Sequence, residues 1–567
     1  METQQANRRA FLKTVAGGLA MGTISGVLKA VASASIASTA SSMSSAGGAR
    51  RPNIVLIMAD DMGFSDAGCY GSEIETPNLD RLAASGLRFS QFYNCARCCP
   101  TRASLLTGLY PHQAGVGAMT GHTDLPGYQG YLNDRCVTIA EALKPAGYSV
   151  LMAGKWHVGE QRPHWPVDRG FDEYFGLISG ASNYFRIEGR RQLALNDQPY
   201  KPEGDSFYMT DAFTDHAVQF LDKYGHKNNP FFLYLAFTSP HWPLQAPQEN
   251  IAKFRGKYMD GPDAIRERRY RRQLEMGLID KNWKMSPRDA PALKWDQLSE
   301  ADKKNMDLRM AVYAAQINRM DQNIGRVLDK IRELGAEENT LVMFLCDNGG
   351  CAEGGPHGFD RGKKGVEIGL PDSYSSYSLT WANVSDTPFR YYKHYTHEGG
   401  ISTPLIVRWP AVIKKGGAIT HQPGHLIDLM ATCVDVAGAQ YPKQFKGKDI
   451  LPLEGKTLLP VFEGRARQPH ETLCWEHYGN RAIHQGKWKL VARGSTEWEL
   501  YDMEADRTEL NDLAAKMPGK AKELSDAWDA WAKRANVVPR PQRKPRASPR
   551  KTLETKNKKE VDEGLPE

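Results

Sequence analysis

Three observations make this chain an α/β protein, with a large mixed β-sheet sandwiched by helices. Four apolar runs of strand length, within 53–60, 149–154, 230–237 and 339–346, are separated by segments that include helical periodicity. Each run leads into residues capable of chemistry: Asp60-Asp61, then Lys155 and His157, then His241, then Asp347-Asn348. Open α/β sheets place ligands beyond the C-terminal ends of their strands, so these side chains are expected along one sheet edge. From about Glu471 the texture changes to short β segments and turns, which marks a second, smaller unit.

The 567 residues are 41% hydrophobic and 25% charged, the composition of an ordinary globular protein able to bury a large core. The net charge of +7 sits at the two ends. Residues 1–34 carry Arg8, Arg9, Lys13 and Lys29 against Glu2, and 536–567 carry nine Lys/Arg against five Asp/Glu. Nothing basic is left for the body, which excludes a nucleic-acid footprint. Nine cysteines at irregular spacing do not make a disulfide scaffold. Pairing among Cys95, Cys99, Cys346 and Cys351 stays open at this stage.

In chain order, Asn7-Arg8-Arg9-Ala10-Phe11-Leu12-Lys13 resembles a twin-arginine export signal, followed by a weakly apolar run and the small-residue site Ala32-Ser33-Ala34. The run is too short and too rich in Gly and Ser to span a membrane, so no integral membrane protein is expected. The segment 1–34 therefore predicts a periplasmic or secreted protein with the twin-arginine translocase as partner. That route carries folded proteins. Residues 35–50 form a Ser/Gly/Ala linker.

The run Ile54–Ala59 reads as a central strand covered on both faces. Asp60 and Asp61 at its end suit a hard cation, Ca²⁺ or Mg²⁺, although Asp-Asp-x-Gly is also good turn chemistry. Thr76-Pro77 opens an amphipathic helix. Ser149–His157 is a second strand; Lys155 and His157 at its C-terminal end, two apart in extended chain, are expected on one side. Pro230–Phe237 is a third, leading into Ser239-Pro240-His241-Trp242-Pro243. Residues 250–300, with the run Arg266–Arg272, read as a solvated insertion, or more weakly as a substrate-facing lid. Lys304–Leu334 is a long amphipathic helix, Asn339–Gly349 a fourth strand ending in Asp347-Asn348, and Leu405–Pro410 a fifth. A helix begins near His425, and another covers Ala521–Arg534. The tail 536–567 has a disordered composition.

The most specific stretch is Cys98-Cys99-Pro100-Thr101-Arg102, continued by Ala103-Ser104-Leu105-Leu106-Thr107-Gly108. Proline suits a first helical turn and glycine ends the run, so Cys98 belongs at a helix N-terminus. The dipole there favours a thiolate and an adjacent anion, and Arg102 lies one turn on. Cys95-x-x-Cys98 as a redox or zinc pair, or Cys98 as a buried small hydrophobe, explains none of Pro100, Arg102 and Thr107-Gly108.

This C-x-P-x-R pattern with its Leu-Leu-Thr-Gly tail resembles the signature of the type I, formylglycine-dependent sulfatases, arylsulfatase-like members of the alkaline phosphatase superfamily. Cys99 and Thr101 stand where that family often has serines, and Leu109 where it often has arginine. The resemblance extends to Gly154-Lys155-Trp156-His157, to His241, to Asp347-Asn348 and to Lys393-His394-Tyr395-Thr396-His397-Glu398-Gly399-Gly400, six motifs in family order over roughly 50–535.

It implies an alkaline-phosphatase-like catalytic domain over 51–465 and a small antiparallel subdomain over 466–535. It also implies conversion of Cys98 to Cα-formylglycine by a formylglycine-generating enzyme, and one Ca²⁺ held by Asp60, Asp61, Cys98, Asp347 and Asn348. The catalytic set it implies is Cys98, Arg102, Lys155, His157, His241, Asp347 and Lys393, hydrolysing small-molecule or glycan sulfate monoesters. Trp381-Ala382-Asn383 is expected to line the pocket. A phosphonate or phosphate ester hydrolase of the same superfamily, and a non-catalytic sulfoglycan-binding protein, are the alternatives.

Overall fold

The structure is a computed structural model that describes residues 50–204 and 206–538. The expected export segment and linker (1–49), and the basic tail from 539 on, lie outside the described residues. A ten-stranded mixed sheet forms the core. Its middle is parallel: Asn53–Asp60 lies between Phe231–Pro240 and Thr340–Cys346, and Ser149–Gly154 and Glu173–Leu177 continue beyond Phe231–Pro240. Leu405–Arg408 runs antiparallel along Thr340–Cys346. It carries Leu87–Phe89 and Ala418–Thr420 at that edge, while the hairpin Leu193–Leu195/Gln198–Tyr200 closes the other.

The central strand alternates as a doubly covered strand must. Val55, Ile57 and Ala59 enter the core under Pro77–Ser85, Met209–Gly225 and Glu300–Glu333. Ile54, Leu56 and Met58 enter the core under Cys98–Thr107, Ile139–Leu143 and Ile427–Val436. No helix among the described residues is long and apolar enough to cross a membrane.

Beyond the main sheet, Leu473–His477, Asn480–Gln485, Trp488–Ala492 and Glu499–Asp502 form a four-stranded antiparallel sheet backed by Pro518–Ala535. Its core is shared with the main body through Tyr93, Ala96, Tyr110, Ile401 and Ile427. The cage around Glu398 ties them further: Lys489 Nζ lies 2.8 Å and Arg507 Nε 2.9 Å from its two carboxylate oxygens.

Two expectations are corrected here. The run Arg266–Arg272 is not a solvated insertion: it lies in the helix Pro262–Glu275, where Arg268, Arg271 and Arg272 are exposed but Arg266 and Arg269 are buried. Arg269 binds Asp66 at 2.6 Å and Glu73 at 2.8 Å, partners about two hundred residues upstream that neutralise it. Trp381, Ala382 and Asn383 do not line the pocket. They sit in the buried helix Leu379–Ser385, with the Trp381 indole donating to the Met306 carbonyl at 2.9 Å.

Candidate active site

Asp60 and Asp61 leave the central strand at a break in its regular pairing with Phe231–Pro240, between Met58 and Asp60. Asp61 takes φ 65°, a strained value for a non-glycine residue and of the kind that clusters at functional sites. The neighbouring strand delivers Asp347 and Asn348. A Cβ on Gly349 would meet the Gly399 carbonyl oxygen at 2.0 Å, so glycine alone lets the Glu398-Gly399-Gly400 turn close against this strand end. That approach brings Lys393 into the site.

Cys98 is the first residue of the helix Cys98–Thr107, and Gly108 ends it in the left-handed conformation, as its sequence requires. Lys155 and His157 reach the site by a different route from the one their spacing suggests. The strand ends at Gly154, and His157 adopts φ 56°, so a turn rather than strand alternation aims its ring.

The ten catalytic and metal-binding residues expected from the sequence, unlike Trp381-Ala382-Asn383, are brought together, and all are buried. Lys155 Nζ lies 2.7 Å from Asp60 Oδ2, and Arg102 Nη2 lies 2.9 Å from Asp347 Oδ2 and 3.7 Å from Asp60 Oδ2. Lys393 Nζ lies 2.7 Å from Asp61 Oδ1. The Asn348 amide donates to that same oxygen at 2.7 Å, and the Asp61 N–H donates to Asp347 Oδ1 at 3.2 Å. His241 Nδ1 donates to the Trp242 carbonyl at 2.6 Å, which leaves Nε2 facing Asp61 Oδ2 at 3.4 Å.

Burial pushes the Asp60 carboxyl up, but Lys155, His241 and Arg102 outweigh it and hold the pKa at about 2. Asp347 is pushed well above the usual carboxylate range by burial and by Asp60 beside it. Burial lowers His157 and His241, with Asp61 opposing the fall at His241. The Cys98 thiol is drawn well below its ordinary value by a hydrogen bond with the Cys99 thiol, by Lys155 and by His157. Burial opposes that fall. All nine cysteines are buried free thiols, which settles the pairing left open above.

The acid cluster can hold a metal ion. Asp60 Oδ1 and Asn348 Oδ1 are buried with no hydrogen-bond partner, an arrangement that costs free energy unless something else is bound there. Two unpaired hard oxygens beside the Asp61 and Asp347 carboxylates fit a hard divalent cation that prefers oxygen ligands.

Cys98, His157, His241 and Lys393 face a cavity of about 370 Å³. Its remaining wall includes Arg97, Met119, Trp242, Glu353, Phe359 and Arg361. Sequence reasoning missed Arg97 and Glu353. Their positions next to Cys98 and five residues beyond Asn348 were the available signals, but the pairing that gives them meaning spans 256 residues.

Comparison with known proteins agrees with this geometry. The sulfatase family model matches residues 52–439, and a model for the C-terminal part of N-sulphoglucosamine sulphohydrolase matches 389–527. An uncharacterized sulfatase of Schizosaccharomyces pombe is 36% identical over 87% of this chain and 95% of its own length. An arylsulfatase of Klebsiella aerogenes is 35% identical over 75% of this chain and 96% of its own. The crystal structure of Ps i-CgsB in complex with k-i-k-neocarrahexaose superposes with a TM-score of 0.63 at 26% identity, covering 85% of this chain and 93% of that one.

Proposed function

Given that this chain belongs to the sulfatase family of the alkaline phosphatase superfamily and hydrolyses sulfate esters, we propose that it does so through Cys98 converted to Cα-formylglycine, beside one Ca²⁺. What supports this reading most is the position of Cys98, at a helix N-terminus, facing the cavity, with Lys155 and His157 acting on its side chain. Asp60, Asp61, Asp347, Asn348 and residue 98 would hold the cation. When bound, it would polarise the sulfate oxygens and the nucleophile.

The chain's own residues divide the remaining work. Lys155, Lys393 and Arg102 supply positive charge around a sulfate monoanion. Water adds to the aldehyde at residue 98 to give its hydrate, and Asp347, whose proton affinity is raised by burial, is suited to take the proton from the hydrate hydroxyl that attacks sulfur. As the ester S–O bond breaks, His241 donates a proton to the departing oxygen. A carbonyl at Nδ1 and a carboxylate near Nε2 favour an N–H at both nitrogens, the form in which this ring is an acid, and oppose the burial that lowers its pKa. Lys393 stands beside it. His157, kept neutral by burial, is suited to take the proton of the remaining hydroxyl, so that sulfate leaves and the aldehyde is restored.

The maturing partner in this reading is a formylglycine-generating enzyme. The twin-arginine translocase exports the folded protein to the periplasm or beyond, supported by the Arg8-Arg9 motif. The test is mass spectrometry of the tryptic peptide Cys98–Arg102 from active protein. An aldehyde at residue 98 is expected. An active preparation in which that residue is wholly an intact thiol would overturn the mechanism.

A further inference from the structure

Beside the oxygen-rich acids stands a second set of metal ligands, built on sulfur and nitrogen. Sγ of Cys98, Sγ of Cys99 and one ring nitrogen of His157 all lie within 4.8 Å of one another. Ligands of one tetrahedral zinc ion stand roughly 3.5–3.8 Å apart, so small side-chain rotations bring these three onto an ion. All three side chains are buried, and His157 Nδ1 has no hydrogen-bond partner. Cys95 is not part of the set: its Sγ lies 3.5 Å from Ser104 Oγ and 3.9 Å from His425 Nε2. Cys98 and His157 line the cavity of about 370 Å³, which gives an ion a way in.

A disulfide is a poor use of the adjacent thiols. Consecutive Cα atoms stand about 3.8 Å apart across a trans peptide, closer than the roughly 4.4–6.8 Å that a disulfide spans. A thiophilic cation suits them better, since sulfur ligands select zinc where Ca²⁺ takes oxygen. On binding, each thiol gives up its proton to solvent. The divalent cation then meets two new negative charges, and the buried set beside Lys155 gains no net charge.

We propose that the chain as translated, with Cys98 still a thiol, binds one Zn²⁺ through Cys98, Cys99 and His157, with water in the fourth position. Conversion of Cys98 removes one of the two sulfurs and with it the site. The zinc site depends only on the two thiols and the imidazole, so it exists whether or not conversion follows.

The experiment uses protein made without a formylglycine-generating enzyme, its Cys98 thiol verified by peptide mass. The protein is freed of metal and supplied with excess Ca²⁺ to fill the oxygen site. It is then titrated with Co²⁺, whose thiolate charge-transfer and tetrahedral d–d bands report sulfur ligation, and afterwards with Zn²⁺. Wild type should bind one Co²⁺ per chain, displaced by one Zn²⁺. Cys99→Ser should lose much of the charge-transfer band and bind at least about tenfold more weakly. Cys433→Ser, altered at a buried thiol of the helix Ile427–Val436, should match wild type. Protein coexpressed with the generating enzyme should bind zinc in proportion to the fraction whose Cys98 is still a thiol. Absence of a charge-transfer band in wild type, or Co²⁺ held as tightly by Cys99→Ser, would overturn the zinc site. So would aldehyde-bearing protein that binds as much Co²⁺ through sulfur as the thiol form. Coexpressed protein that keeps its Cys98 thiol and its zinc would instead uphold the site and remove the formylglycine reading.

Discussion

The Thr101 hydroxyl donates a 2.6 Å hydrogen bond to the backbone carbonyl of Asp347, joining the first turn of the Cys98 helix to the strand end that carries the metal-binding acids. The same oxygen accepts the Cys95 N–H at 3.0 Å, so one hydroxyl fixes both sides of the site. The bond asks only for a hydroxyl, which either serine or threonine supplies. Thr101→Val should strand two buried backbone groups, lowering stability by about 1–3 kcal/mol and kcat/KM by tenfold or more. Thr101→Ser should restore both. Denaturant titration and steady-state kinetics on one preparation check this, and equal behaviour of the two variants would refute it.

Three cations, Lys155, Lys393 and Arg102, face three carboxylates, Asp60, Asp61 and Asp347, in direct ion pairs. A divalent cation added to that balanced set leaves an excess of positive charge, so ground-state charge alone would not reject a phosphate monoester; the expected preference rests on a single cation, where many phosphatases clamp the attacking and leaving oxygens with two. The sulfate ester of a phenol should be favoured over its phosphate at least tenfold in kcat/KM, which asks for about 1.4 kcal/mol of differential binding. An equal or larger value for the phosphate would move the chain towards the phosphonate or phosphate hydrolases of its superfamily.

Removing divalent metal with a chelator should abolish turnover and lower Tm, because a cation bound to the folded state alone stabilises it by mass action. Lys155 and Lys393 remain to balance the acids, so the stripped protein should stay folded, and Ca²⁺ should restore both properties. Full activity and an unchanged Tm after exhaustive chelation would count against a metal at Asp60, Asp61, Asp347 and Asn348.

Burial raises the Glu398 carboxyl, but Lys489 and Arg507 outweigh it and hold the pKa at about 2, against an ordinary 4.5. A carboxylate depressed by folding contributes stability that is fully present above the unfolded value and is lost as pH falls towards the folded one. Stability should therefore decline between about pH 4.5 and pH 2, by a few kcal/mol from this group. Glu398→Gln should be less stable at pH 7 and should show a shallower decline in that window. Parallel Tm–pH curves for variant and wild type would refute this.

Replacing Arg8 and Arg9 together by lysine keeps the charge but removes the pair expected to be recognised for export. Active enzyme should then accumulate in the cytoplasm, as measured by fractionation and activity. Undiminished periplasmic activity would indicate another route.

Much of this molecule was legible in its sequence because its signals are local. Ile54–Ala59 must be covered on both faces, and Pro100 and Gly108 bracket the helix that presents Cys98. What was not legible depends on distant partners. Arg269 resembles a solvated charge until Asp66 and Glu73 close around it, and Glu353 looks like a loop acid until Arg97 and Trp242 orient it. His157 was placed at the right site for the wrong reason, because no periodicity announces a left-handed turn.

The cage in which Lys489 and Arg507 grip Glu398 also bears on how little of the chain could ever suffice as an enzyme. The loop presenting Lys393 leads into Glu398, so its conformation is tied to strands laid down almost a hundred residues later. A nascent chain would hold every catalytic side chain by Lys393 and still be inert until its last sheet docks. Opening of that sheet would silence the site without touching a single catalytic atom, and a protein shortened from the C-terminus should lose activity all at once rather than by degrees.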